Sequence, residues 1–82
     1  MKIQFHSHAL ERMCERGAEV EEVIETIETG EYFPAKYGRH GFRKTFPFSG
    51  LWKGRQYSTK EIEAYAVLEN GWIVITVLVK YF

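Results

Sequence analysis

The stretch Glu61-Ile-Glu-Ala-Tyr-Ala-Val-Leu-Glu-Asn70-Gly71-Trp-Ile-Val-Ile-Thr-Val-Leu-Val-Lys-Tyr81 decides the fold class. Asn-Gly between two alternating apolar runs is a strong hairpin signal, because a two-residue turn needs positive φ at both central positions. Tyr57–Glu69 puts Ile62, Ala64, Ala66 and Leu68 on one side, and Trp72–Tyr81 returns with Ile73, Ile75, Val77 and Val79. These alternate positions predict the buried face of an antiparallel pair. The other face then carries Arg43, Thr45, Glu63, Tyr65, Val67, Trp72, Thr76, Leu78 and Lys80.

Moving back along the chain, Phe42–Phe48 alternates rings with polar residues and reads as another strand. Ser49–Gln56, with two glycines, reads as a loop, and Gly38-Arg39-His40-Gly41 as a turn. Glu31–Tyr37 reads as an edge strand, because Pro34 removes a ladder donor. Before Gly30 the period becomes helical. Val20, Val23, Ile24 and Ile27 predict a helix over Glu19–Thr29, with Glu19, Glu21 and Glu22 where the helix dipole favours negative charge. Ala9, Leu10, Met13 and Cys14 predict an earlier helix that Ser7 caps and Gly17 ends, with Cys14 buried in its apolar stripe. Lys2–Phe5 is a short first strand. The order βααββββ is an α+β fold, with two N-terminal helices on a mainly antiparallel four- to five-stranded sheet in one domain, residues 1–82.

Charge is divided along the chain. Tyr32–Lys60 holds no Asp or Glu, but does hold Lys36, Arg39, Arg43, Lys44, Lys53, Arg55 and Lys60. Eight glutamates lie in residues 1–31, and the chain's formal net charge is zero. A field depends on where charges sit, so a neutral sum does not exclude a polyanionic partner. Aromatic residues interleave with these cations, and flat rings beside cations suit bases and phosphates. Solvated loops and edge strands would present the same composition. A single cysteine excludes an internal disulfide and fits a reducing compartment. Met1–His6 has no apolar run of a signal peptide, and Trp72–Val79 is too short to span a bilayer. The expectation is a soluble cytoplasmic protein that makes no membrane contact.

His8, Arg12 and Arg16 recur every four residues and form one row on a helix. An imidazole beside guanidiniums suits phosphodiester cleavage: the histidine moves a proton and the arginines stabilise charge on the phosphate. The 2′-hydroxyl of RNA can be the nucleophile, so no metal is required. A solvated face paired to Glu11, Glu15 or Glu19 would show the same row. His6, His8 and His40 would offer three imidazoles to a metal, yet no Cys pair or Asp accompanies them, so no metal site is expected. No Walker loop, dinucleotide fingerprint or nucleophile elbow appears, and no cofactor is expected.

The run Phe5-His-Ser-His-Ala-Leu-Glu-Arg-Met-Cys-Glu-Arg-Gly-Ala-Glu-Val-Glu-Glu-Val-Ile resembles the opening of the bacterial family called domain of unknown function 4258. Gly30, Gly38-Arg39 and Ile75-Thr76-Val77 extend that resemblance along most of the chain. By analogy it implies the RelE-like fold of RelE/ParE-like and BrnT-like toxins, and a metal-independent endoribonuclease or an inactive relative. The motif positions it carries over are His8, Arg12, Arg16, Arg43 and Thr76. The expected catalytic groups are His8, Arg12, Arg43 and His40. The expected RNA-binding groups are Arg16, Arg39, Lys44, Lys53, Arg55, Thr76 and Lys80. An acidic antitoxin would mask the basic block. The rival reading is a non-catalytic module or homodimer, pairing through the open sheet face or the last strand, with Trp72, Leu78 and Phe82 exposed in the monomer.

Overall fold

A computed structural model describes residues 2–82. The elements are β1 (Ile3–Phe5), α1 (Ser7–Arg16), α2 (Val20–Thr29), β2 (Glu31–Pro34), β3 (His40–Trp52), β4 (Arg55–Leu68) and β5 (Trp72–Tyr81). They follow the predicted βααββββ order. The strands form one sheet, ordered β1-β5-β4-β3-β2. Neighbours are antiparallel except β1 and β5, which run parallel. A parallel pair needs a long crossover, and everything between the first and last strands supplies it.

α1 lies on β5, and α2 lies on β4 and β3. The core joins Ala9 and Met13 of α1 and Val23 and Ile27 of α2 to Phe42, Ile62, Ala64, Ala66, Val74 and Val77. Ala64 and Ala66 are small enough to let the helices approach the centre of the sheet. Each fully buried Val or Ile side chain contributes about 1.5–3 kcal/mol. Gly17 ends α1 in the left-handed conformation, φ 80°, and the Ala18 N–H donates to the Met13 carbonyl at 2.9 Å. No helix among the described residues is long and apolar enough to cross a membrane.

Several local expectations are corrected. The cap of α1 is His6, not Ser7: His6 Nδ1 accepts the His8 N–H at 3.1 Å, satisfying a donor of the first turn. Cys14 is exposed and Leu10 is 44% exposed, because α1 meets the sheet along one narrow line through Ala9 and Met13. The β4–β5 register shifts at Tyr65/Ala66, so that Tyr65 pairs with Thr76 and Ala66 with Val74. The extra residue, Ile75, inverts the alternation beyond it. Val74 therefore enters the core where Ile73 and Ile75 were expected, and Trp72 packs against the core; Leu68, the last residue of β4, is 53% exposed.

The expected loop Ser49–Gln56 is instead a continuation of the β3–β4 hairpin, with only Lys53 and Gly54 between the strands and a bulge between Pro47 and Gly50. A tertiary contact holds this arm. Trp52 stacks on Tyr81 with centroids 4.8 Å apart, and a Cβ at Gly17 would collide with both rings. The β2–β3 turn likewise centres on Tyr37 and Gly38, while His40 and Gly41 already belong to β3.

Candidate functional site

Strand alternation turns Phe42 and Ile62 towards the helices, so Gly41, Arg43, Glu63 and Tyr65 face the open side of the sheet. On that side, at the end bearing the β2–β3 turn, lies a cleft of about 350 Å³ lined by Phe33, Ala35, Lys36, Tyr37, Arg39 and Tyr65. The rings of Phe33 and Tyr65 meet edge to face with centroids 5.9 Å apart. Gly41 makes this floor possible, because a Cβ there would overlap the Phe33 ring. The Tyr65 hydroxyl donates to Glu63 at 2.6 Å. That bond, reinforced by burial, raises the Tyr65 pKa and keeps the phenol neutral.

The basic block does not act as one surface. Arg43 donates from Nε and Nη2 to Glu31 at 3.2 and 3.1 Å and stands 3.6 Å from Glu63. Its guanidinium also lies over the Phe33 ring, 4.7 Å from the centroid. The bonds to Glu31 are the main reason the Arg43 pKa is raised. Lys44, on the helix side, pairs with Glu25 at 2.7 Å and donates to Thr29 at 2.6 Å. Lys60 is 5% exposed, pairs with Glu22 at 2.7 Å and also donates to the Gly17 carbonyl. These three cations serve the fold. Lys36, Arg39, Lys53 and Arg55 are exposed and have no ion-pair partner among the described residues. They stand at two hairpin turns on opposite ends of β3.

The remaining expected site residues are dispersed. His8 is exposed at the start of α1 and its imidazole makes no hydrogen bond among the described residues. Arg12 is bound to Glu15 at 2.9 Å. Arg16 turns inward and donates to the Val77 carbonyl at 2.7 Å, tying α1 to β5. His40 Nδ1 lies 2.7 Å from the Tyr32 hydroxyl, and its ring packs edge-on to Trp72 at 5.0 Å. Thr76 and Lys80 sit on the open face opposite Tyr65 and Glu61. No contact among the described residues joins His8, Arg12, His40 and Arg43 into one constellation. Likewise, no group of three His, Cys, Asp or Glu residues that could hold a metal ion occurs among the described residues.

The cleft adds Phe33, Lys36, Tyr37 and Tyr65 to the functional candidates. Its cationic rim was visible in the sequence as Lys36 and Arg39 in an acid-free stretch. Its floor was not, because only the pairing of Gly41 with Phe33 on one side and Tyr65 on the other brings the rings together.

Comparison with known proteins yields one match, to the family model described as Domain of unknown function (DUF4258), over residues 5–79. No curated protein matches, and no solved structure does.

Proposed function

The chain belongs to the DUF4258 family, and from that premise we propose that it is an RNA-binding protein that takes a single strand into the cleft at the β2–β3 turn. The observation that carries this reading is the pairing of an aromatic floor, Phe33 and Tyr65, with two unpaired cations at its rim, Lys36 and Arg39. Rings accept unstacked bases of any sequence, and cations without carboxylate partners are free to neutralise phosphates. A duplex buries its base faces and could use only the cations.

The toxin analogy extends the reading to metal-independent cleavage. His8 is the group for proton transfer, since its imidazole is exposed and uncommitted, and Arg12 is the cation beside it on α1. A strand bound in the cleft would have to continue around the sheet to meet α1. The same unpaired cations are where an acidic antitoxin would compete.

Binding is tested with a labelled single-stranded RNA at low and high salt. The wild type should bind with an affinity that falls as salt rises, and Lys36→Ala/Arg39→Ala should lose about tenfold or more. Salt-independent binding, or none, sinks the reading. Incubation with RNA in EDTA beside His8→Ala tests cleavage: products from the wild type alone place His8 in the reaction, and intact RNA removes the nuclease half.

One observation favours the interaction-module reading. β1 covers β5 only over Trp72–Val74, so among the described residues no strand lies beside the outer edge from Ile75 onward, where Leu78 is 39% and Phe82 57% exposed. Such an edge accepts a further strand. A concentration-dependent mass in sedimentation would support a homodimer there, and a monomer at all concentrations would end that version.

A further inference from the structure

Four non-glycine residues have positive φ: Ser49 (48°) at the bulge of β3, and Tyr37, Lys53 and Asn70 at the tips of hairpins. Three turns have both central residues at positive φ: Tyr37 (62°) with Gly38 (71°), Lys53 (50°) with Gly54 (82°), and Asn70 (56°) with Gly71 (110°). A non-glycine position at positive φ favours Asn or Asp, because bulkier L side chains crowd the backbone there. Asn70 obeys the preference. Tyr37 and Lys53 do not, and neither side chain makes a hydrogen bond or ion pair among the described residues. Tyr37 is 88% exposed, and Lys53 is exposed without an ion-pair partner among the described residues.

The two tips are also alike in composition. Lys36-Tyr37-Gly38-Arg39 and Trp52-Lys53-Gly54-Arg55 each place one ring and two cations on a four-residue turn. At the second tip, Lys53 lies 5.7 Å from the Trp52 ring centroid and Arg55 5.8 Å from that of Tyr57. Trp52 is itself held by its stack on Tyr81. The first tip precedes β3 and the second follows it. They therefore stand at opposite ends of a 13-residue strand, in a molecule 39 Å along its longest axis.

We propose that the two tips are paired contacts on one RNA strand, a two-point clamp whose substrate is a single strand long enough to reach both. The inference rests on the RNA-binding reading above. Each tip offers two cations to neighbouring phosphates, and the first adds the exposed Tyr37 ring for a base. At about 3.4 Å per stacked nucleotide, a strand needs roughly a dozen nucleotides to pass from one tip to the other. A disfavoured backbone conformation persists where the side chain it presents is used, and here the users are Tyr37 and Lys53.

The test measures anisotropy of labelled 4-nucleotide and 20-nucleotide single-stranded RNAs with the wild type and Lys53→Asn, alongside their melting temperatures. The wild type should bind the longer RNA about tenfold tighter per available site, as expected of two linked contacts. The log–log salt slope should be about −2.8 for the longer RNA, with four cations engaged, and about −1.4 for the shorter, with two. Lys53→Asn should melt a few degrees higher, because Asn suits the turn, while weakening the longer RNA several-fold and leaving the shorter RNA's binding at the first tip unchanged. Equal affinity per site for both lengths, or unchanged binding of the longer RNA by Lys53→Asn, overturns the clamp and leaves binding at the first tip standing. Failure of the wild type to bind either RNA overturns both.

Discussion

The middle of the basic block and its two ends have the same composition and opposite fates. Arg43, Lys44 and Lys60 each meet a glutamate from another element, at 3.1, 2.7 and 2.7 Å. Lys36, Arg39, Lys53 and Arg55 meet none among the described residues. The difference follows from position on the sheet. The first group lies on strand segments that face α2 or a neighbouring strand, where Glu22, Glu25, Glu31 and Glu63 are within reach. The second group lies at hairpin turns, with no carboxylate in ion-pair range among the described residues. A run of like charge in a sequence is thus divided by the fold into cations that hold the fold and cations left for a partner.

The largest effect that would sharpen this division is expected at Lys60. Lys60→Met removes the partner of Glu22 and the donor to the Gly17 carbonyl, so a carboxylate and the end of α1 both lose a bond. Glu22 keeps some access to water, with its side chain 23% exposed. The cost should therefore be about 2–3 kcal/mol, below that of a wholly buried pair. For a domain of this size that lowers the melting temperature by roughly 10–20 °C. RNA affinity of the folded variant should not change. A loss of binding comparable to that of Lys36→Ala/Arg39→Ala would put Lys60 with the ends and break the comparison.

Arg43 gives a smaller and more discriminating effect. It lines the same face as the cleft, yet its charge is already answered by Glu31 and Glu63. Arg43→Gln should shift urea unfolding only slightly, since its pair with Glu31 is exposed, and should change the salt slope of RNA binding by almost nothing. A slope reduced by a full phosphate contact, about 0.7, would show that RNA displaces the glutamates.

The smallest effect is confined to alkaline pH. Tyr65 has its pKa raised, first by its hydrogen bond to Glu63, and Tyr81 has its own raised, first by burial. A tyrosine whose folded pKa exceeds its unfolded value adds stability that is complete below about pH 10, and that is lost as pH rises through the folded value. Ultraviolet titration should therefore show Tyr65 and Tyr81 ionising above the ordinary tyrosine value. Glu63→Gln should return one of them towards the ordinary range. A Tyr65 that ionises at the same pH in the wild type and in Glu63→Gln would contradict the Tyr65–Glu63 contact beside the cleft.

The same contrast separates what could be read in the sequence from what could not. Helix positions were legible because apolar spacing and the glycines at 17 and 30 act locally. Asn70-Gly71 announced its turn for the same reason. Tyr37-Gly38 and Lys53-Gly54 form the same kind of turn without the residue that advertises it, so one was displaced by a few residues and the other was read as a loop. The bulge at Ile75 gave no signal, since Ile73, Val74 and Ile75 are interchangeable apolar residues to any periodicity argument. Cys14 looked buried because the stripe was drawn too wide for the one strand beneath it.

By itself the sequence determined the order of elements, the α+β class and the separation of acid from base, because each depends on residues close together in the chain. Tertiary structure alone decided which cations remain free, which rings floor the cleft and how the histidines and arginines are dispersed. Those outcomes depend on strand register and on which side chain a helix brings within 3–4 Å. Such distances are fixed by packing between elements far apart in sequence, and a one-residue bulge is enough to reverse them.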